Sequence, residues 1–209
     1  MTAGRRPLAV RGTGWARATA RWLTGRGISP DAISKASLVF AAIAGASLWL
    51  AGSADGLGAG LAFLLAACCV QGRLLCNLFD GMVAVEGGRG GPEGPYWNEV
   101  PDRPADVMIL AGAGLACGSL ALGLACGVAA LGTAYLRAFG TGLGRTEDFA
   151  GPFAKPQRMA VVTGLAATSA IEAALTGTRW IMWAGLWVLL LGTLLTCVLR
   201  ARRLRQNLS

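Results

Sequence analysis

The residues best suited to chemistry are acids and amides that lie between two apolar stretches. Asn77 and Asp80 come near the end of one stretch, and Asn98, Asp102 and Asp106 lead into the next. Spacings of three and four residues place each set on one face of its own helix. A charged side chain costs roughly 2.5–3.5 kcal/mol at the bilayer centre, so membrane acids usually face a polar cavity. Two facing stripes of this kind predict a site for a divalent cation.

The chain contains no histidine, so acid-base and metal chemistry must come from carboxylates. This excludes a Ser-His-Asp hydrolase and a histidine-ligated zinc site. Oxygen ligands favour hard cations, Mg²⁺ or Mn²⁺, which are well suited to neutralising phosphates. Glycines between the two polar sets would let a nucleotide approach the backbone closely, although such a stretch could also be a flexible connector. These glycines are Gly81, Gly87, Gly88, Gly90, Gly91 and Gly94.

The composition is that of a polytopic membrane protein. Hydrophobic residues make up 54% of the 209 residues, charged residues 14%, and the mean hydropathy is +0.53, which is too apolar for a water-soluble domain. A membrane-spanning helix needs about 20 predominantly apolar residues. Six windows qualify and predict an all-α bundle of six transmembrane helices: 33–52, 57–79, 103–119, 121–139, 159–177 and 180–199.

Arginines outside these windows orient the predicted spans. The positive-inside rule places both the N- and the C-terminus in the cytoplasm, with the protein in the cytoplasmic membrane. The net charge of +8 is then a topology signal and an attraction to anionic membrane lipids, and it indicates no nucleic acid partner. The arginines concerned are Arg5, Arg6, Arg11, Arg17, Arg21 and Arg26 at one end, and Arg200, Arg202, Arg203 and Arg205 at the other.

These features divide the chain into three parts. Residues 1–30 form a cytoplasmic segment in which Trp15, Ala18, Trp22 and Leu23 share a face, as is typical of an amphipathic helix lying in the membrane interface. A basic leader that only fixes orientation is the alternative. Residues 31–200 form the six-helix transmembrane catalytic domain, and residues 201–209 form a basic cytoplasmic tail. The N-terminal segment lacks the apolar core of a secretory signal peptide.

A second group of cations could bind phosphate. Lys155 and Arg158 lead into the fifth window, and Arg137 and Arg145 lie before it. Together they could clamp a phosphate or a lipid headgroup. They could equally be topological anchors under the positive-inside rule.

The polar residues also resemble a known signature, that of the CDP-alcohol phosphotransferase family, which reads D-x2-D-G-x2-A-R-x8-G-x3-D-x3-D. The match needs no insertion, and its predicted position at the cytoplasmic ends of the second and third spans is similar too. The matching stretch is Asn77-x2-Asp80-Gly81-x2-Ala84-x9-Gly94-x3-Asn98-x3-Asp102.

The resemblance implies an enzyme that transfers a phosphorylated group from a CDP-linked donor to an alcohol acceptor and releases CMP. It implies two divalent metals held by four acidic positions, a base at Asp102, and room for the cytidine at Gly81, Ala84 and Gly94. CDP-diacylglycerol is the favoured donor, and a soluble CDP-alcohol with a lipid acceptor is the alternative. The family also forms dimers, although no residue of this chain indicates a homodimer.

The chain departs from the signature at three positions. Asn77 and Asn98 replace the first and third aspartates, and Val85 replaces the arginine. An amide oxygen can still ligate a hard cation, but it does not neutralise the charge. The acids that could compensate are Asp106, Glu99 and Glu86.

A shifted alignment would place Asp102 and Asp106 at the last two aspartates, but it loses the match at Gly94. In both alignments Asp80, Asp102 and Asp106 are the functional acids. The predicted metal ligands are these three acids together with Asn77 and Asn98.

Structural roles and other functions stay open. Asn98 could cap a helix, with Pro101 in its first turn, Asp102 and Asp106 could complement a helix dipole, and Arg73 could pair with Asp80. The two replaced aspartates could also mark a scaffold that binds lipid without turnover. A transporter is a third class, although only Glu172 lies deep in a span.

Overall fold

A computed structural model describes residues 9–88 and 93–207, and within them all regular structure is helical. The predictions that rest on Arg5, Arg6, Gly90 and Gly91 and on the side chain of Glu86 lie outside the described residues. A 3-10 turn at Ala9–Gly12 comes first. The α-helices are α1 (Gly14–Gly25), α2 (Pro30–Ser53), α3 (Gly56–Glu86), α4 (Gly94–Glu99), α5 (Asp102–Ala116), α6 (Leu120–Gly142), α7 (Lys155–Thr176) and α8 (Trp180–Gln206).

The all-α prediction is confirmed, and five helices are long and apolar enough to cross a membrane. They are α2, α3, α6, α7 and α8, which coincide with five of the six predicted windows. The remaining window, 103–119, contains α5, whose 15 residues extend about 22 Å at about 1.5 Å per residue. The helix stops because Gly118 adopts a φ of 72°, and the Ser119 N–H donates to the Gly114 carbonyl at 2.8 Å.

The six longer helices close into a ring in the order α2, α5, α6, α8, α7, α3, with α3 returning to α2. Phe63, Ile109, Met159 and Leu186, each fully buried, belong to one continuous core inside the ring. The ring brings the ends of α3 and α6 and the starts of α5 and α7 to one end of the bundle. We call this the site end and the opposite end the far end.

Glycines let the shortest helix of the ring approach both of its neighbours. A Cβ on Gly45 of α2 would lie 2.7 Å from the Met108 carbonyl oxygen of α5. A Cβ on Gly114 of α5 would lie 2.6 Å from the Ser119 carbonyl oxygen and 2.8 Å from Gly123 of α6. Small residues at such crossings are the usual basis of close helix packing in lipid.

Helix α1 packs on α3 near the site end. Its buried residues, Ala16 and Ala20, contact a cluster that includes Leu78 and Met82. Trp15 and Trp22, which the sequence placed on a common apolar face, are 51% and 55% exposed.

At the far end, polar side chains tie α8 to α2 and α7. Arg179 donates to the carbonyl oxygens of Ala51 (3.1 Å) and Ala54 (2.7 Å), at the end of α2. Glu172 of α7 accepts the backbone N–H groups of Trp180 (2.8 Å) and Ile181 (3.0 Å), at the start of α8. Both contacts satisfy helix-end groups that lack a partner within their own helix, so Glu172 has a structural role here.

Candidate active site

Two adjoining cavities open at the site end. The first, which we call the motif cavity, has a volume of about 460 Å³. The second, the basic cavity, has about 400 Å³. Asn77, Asn98 and Glu99 line both cavities. Each volume lies within the range of about 300–1,000 Å³ that is usual for ligand pockets.

Six residues at signature positions line the motif cavity. Helix α3 contributes four of them on one face, because positions three and four residues apart share a side of a helix. The short helix α4 contributes the other two. The six residues are Asn77, Asp80, Gly81, Ala84, Gly94 and Asn98.

Asp80 is 5% exposed, and its hydrogen-bond partners are electrically neutral groups. One carboxylate oxygen accepts the Ser34 hydroxyl of α2 at 2.8 Å, and the other accepts the Gly81 N–H. Ser34 was not predicted, because a serine in an apolar window carries no signal of its own. The alternative pairing of Asp80 with Arg73 is not formed, since Arg73 binds Asp102 and Asp106.

Asp102 begins α5 and has a cationic environment. Its Oδ1 accepts Arg73 Nη2 at 3.1 Å and Asn77 Nδ2 at 2.9 Å. Its Oδ2 contacts the Lys155 ammonium, which comes from the start of α7. Asp102 lines the basic cavity and joins residues from three helices.

Asp106, one turn further along α5, is 1% exposed and pairs with two guanidinium groups. Arg73 Nη2 lies 2.7 Å from Oδ1, and Arg158 Nη2 lies 2.9 Å from Oδ2. Arg158 also donates to the Thr133 hydroxyl and the Phe153 carbonyl. Arg73 therefore links Asp102 to Asp106, and this link was not predicted.

Other predicted residues line the same region. Lys155, Arg137 and Arg158 all line the basic cavity, together with Arg200. Arg137 forms a two-oxygen ion pair with Glu99, at 2.5 and 2.6 Å. The N-cap role suggested for Asn98 is wrong, because Asn98 lies within α4 and Pro101 occupies the N-cap of α5.

Asp80, with the amides of Asn77 and Asn98, could hold a hard cation. Among the described residues, no three acidic, histidine or cysteine side chains group closely enough to hold a metal ion. Asp102 is neutralised by Lys155 and Arg73, as described above. Within residues 9–88 and 93–207, Asp80 forms no direct ion pair, and Lys155 acts on it only at longer range. The amides of Asn77 and Asn98, whose oxygens are suitable ligands, line the same cavity.

Comparison with known proteins identifies the fold. No family model and no curated protein matches the chain. Structures of the phosphatidylinositol phosphate synthase PgsA1 of Mycobacterium tuberculosis do match. The one with CDP-DAG bound has a TM-score of 0.74 and 22% identity, covering 90% of this chain and 92% of that chain. The manganese and citrate complex has a TM-score of 0.71 and 25% identity, covering 90% and 88%.

The apo form of the same synthase matches with a TM-score of 0.71 and 23% identity, covering 88% of this chain and 93% of that chain. These similar structures are membrane phospholipid-synthesising transferases. Over about nine tenths of its length, the chain therefore shares the fold of a synthase of the CDP-alcohol phosphotransferase family.

Proposed function

We propose that the chain transfers a phosphatidyl group from CDP-diacylglycerol to an alcohol and releases CMP, as a step of phospholipid biosynthesis. One observation carries this proposal. Six of the seven residues that define the matching stretch line one cavity, and the seventh, Asp102, lines the adjoining one, in a fold that is also found in a structure with CDP-DAG bound.

The motif cavity is the proposed nucleotide site. Gly81, Ala84 and Gly94 have little or no side chain, so the cytidine can lie against the backbone there. The pyrophosphate would then lie toward Asn77 and Asn98, which are common to both cavities.

The proposed reaction is a displacement at the phosphatidyl phosphorus. The acceptor hydroxyl forms the new O–P bond, the bond from phosphorus to the bridging oxygen breaks, and CMP leaves with that oxygen. Asp102 accepts the hydroxyl proton, as a carboxylate within hydrogen-bond reach can do. Arg73 and Asn77 hold its Oδ1, so the orientation of the carboxylate is fixed. Oδ2 contacts the Lys155 ammonium, which would have to move aside for Oδ2 to accept this proton.

A single Mg²⁺ or Mn²⁺ is the proposed cofactor. Asp80 would hold it, with the amide oxygens of Asn77 and Asn98. When bound, it would supply positive charge to the donor pyrophosphate and the CMP leaving group.

The basic cavity is the proposed acceptor site. Lys155 and Arg137 both line this cavity, so a ligand bound there would contact both side chains. Arg158 is 1% exposed, and it would act on the acceptor by holding Asp106 and Thr133 in position.

We also propose the following membrane arrangement. Helix α5 is the sixth span, because it is an integral member of the ring. Helix α1 lies in the interface with Trp15 and Trp22 toward lipid, since both are exposed. Residues 1–30 and 201–209 are cytoplasmic and flank the catalytic domain at 31–200, with the site end facing the cytoplasm.

The test is CMP release by purified protein in vesicles that contain CDP-diacylglycerol, with Mn²⁺ and a pool of polyol acceptors. Asp102→Asn should lower the rate at least about 100-fold, because general-base catalysis contributes about 10²–10⁴-fold. Asp55→Asn, at the start of α3 and the far end of the bundle, is the matched control and should keep the rate.

Two outcomes would contradict the proposal. CMP release only from a soluble CDP-alcohol with a diacylglycerol acceptor would reverse the roles of lipid and alcohol. Donor binding without CMP release from either donor class would favour the non-catalytic lipid-binding scaffold.

A further inference from the structure

We propose that the site holds one divalent cation only, and that the Lys155 ammonium supplies to Asp102 the positive charge that a second cation would bring. The inference rests on the proposed function, because it concerns the same site. It differs from the four-acid, two-metal arrangement that the sequence resemblance implies.

The charge balance around Asp102 supports this inference. Asp102 and Asp106 form a connected network with Arg73, Lys155 and Arg158, so two carboxylates face three cations. Arg73, Arg158 and Asp106 are each at most 1% exposed, so water screens these charges weakly. Asp80 lies near enough to interact electrostatically with Asp102 and Lys155, so three cations already balance the three acids without a second divalent cation.

The hydrogen bonds to Asp102 come from donors that already occupy both of its oxygens. Asn77 occupies a signature position for a metal-binding aspartate, yet its amide donates Nδ2 to Asp102 at 2.9 Å. An amide N–H is a donor and cannot ligate a cation. Both oxygens of Asp102 therefore already accept donors, one from Arg73 and Asn77 and the other from Lys155.

Asp80 contrasts with Asp102 in its direct contacts. Its hydrogen-bond partners, Ser34 and the Gly81 N–H, are neutral, and Lys155 acts on it only at longer range, so Asp80 is the acid better able to bind an added cation. The two acids of the motif therefore have different roles. Asp80 would bind the divalent cation, whereas Asp102 is paired with the Lys155 ammonium.

The position of Lys155 lets its charge reach the substrate. Lys155 begins α7, lines the basic cavity and is 26% exposed, whereas Arg73 on the other oxygen of Asp102 is buried. The ammonium can turn from Oδ2 to a phosphate oxygen of the donor, and Arg73 keeps the carboxylate in place.

The test is the stoichiometry of Mn²⁺ binding, measured by electron paramagnetic resonance on purified protein in lipid nanodiscs without turnover. Wild type should bind one Mn²⁺ per chain, and Asp80→Asn should bind none. The variant Asn77→Asp/Asn98→Asp/Lys155→Met restores the acids and removes the resident cation, so it should bind two. The matched control Asn77→Asp/Asn98→Asp/Lys155→Arg keeps the charge and should stay at one.

Three results would overturn the inference: two Mn²⁺ in wild type, none in wild type, or no difference between the Lys155→Met and Lys155→Arg forms. Monodisperse elution and an unchanged helical circular dichroism spectrum select the folded variants for this comparison. The outcome is separable from that of the proposed function. One bound Mn²⁺ without CMP release would overturn the function alone, and CMP release with two bound Mn²⁺ would overturn this inference alone.

Discussion

Asp80 and Asp102 belong to one sequence motif, yet their carboxylates have opposite surroundings. Ser34 and a backbone N–H hold Asp80, whereas Lys155 and Arg73 hold Asp102. A charged partner roughly doubles the strength of a hydrogen bond, so Asp102 is the more firmly fixed of the two. The orientation of Asp80 depends on a single hydroxyl from another helix.

Ser34→Ala should therefore weaken cation binding. Loss of one neutral hydrogen bond costs about 1 kcal/mol, which corresponds to a roughly fivefold increase in the Kd for Mn²⁺. Ser37→Ala is the control, because Ser37 lies one turn along the same helix, is equally buried and forms no hydrogen bond with Asp80. Titration of both variants with Mn²⁺ measures the difference, and equal Kd values would remove Ser34 from this role.

Arg73→Met should reduce the free energy of unfolding by about 3–5 kcal/mol, because it leaves two buried carboxylates short of a partner. The comparison is Arg103→Met. Arg103 is 26% exposed and pairs with a half-buried Glu99, so its loss should cost less than about 1 kcal/mol. Thermal unfolding in detergent measures both changes, and similar losses would mean that the buried network contributes little to stability.

At the scale of elements, helix periodicity explains how much of the site could be predicted. Asn77, Asp80 and Ala84 share a face of α3 whatever the rest of the fold does, so the sequence alone predicts one wall of the motif cavity. Contacts between helices depend on the order of the helices in the ring. Ser34 and Asp80 are 46 residues apart in the sequence, and Arg73 and Asp106 are 33 residues apart. A local sequence pattern therefore cannot predict that either pair is in contact.

The boundaries of α5 illustrate the same limit. The sequence predicts a break near Gly118, and α5 ends close to it. The start of α5 differs from the prediction, because Pro101 and not Asn98 is the N-cap residue before Asp102. Its short length is tolerated because glycines bring α2 and α6 close on both sides.

Gly112→Ala should be destabilising by about 1–3 kcal/mol, since the added methyl group would overlap the backbone of Gly45 on α2. Gly164→Ala is the matched control. Gly164 lies within α7 and has open space around its Cβ position, so the higher helix propensity of alanine should leave stability unchanged or raise it. Thermal unfolding of both variants decides the matter, and equal stability would contradict close packing of α2 and α5.

At the scale of the whole molecule, the polar contacts at the two ends of the bundle have different roles. The acids and cations of the two cavities lie at the site end. The far end is held by helix-end contacts, chiefly those of Arg179 and Glu172. Changes at the far end should therefore affect stability without affecting function.

Arg179→Met should lower the free energy of unfolding by about 1–3 kcal/mol, because the guanidinium donates to helix-end carbonyls of α2, where the helix dipole also favours a cation. The rate of CMP release by the folded protein should stay unchanged. Arg26→Met, on an exposed residue that contacts Trp22, is the control for stability. A changed rate in Arg179→Met would mean that the two ends are coupled.

The closed ring has a consequence for the order in which ligands bind to and leave the site. Large apolar side chains such as Phe63 and Leu186 fill the interior of the ring, so the two cavities do not continue through the bundle to the far end. Under the proposed function, the cytidine of the donor and the CMP product occupy the same motif cavity. CMP must then leave before the next CDP-linked donor can bind, and accumulated CMP would compete with the donor for that cavity.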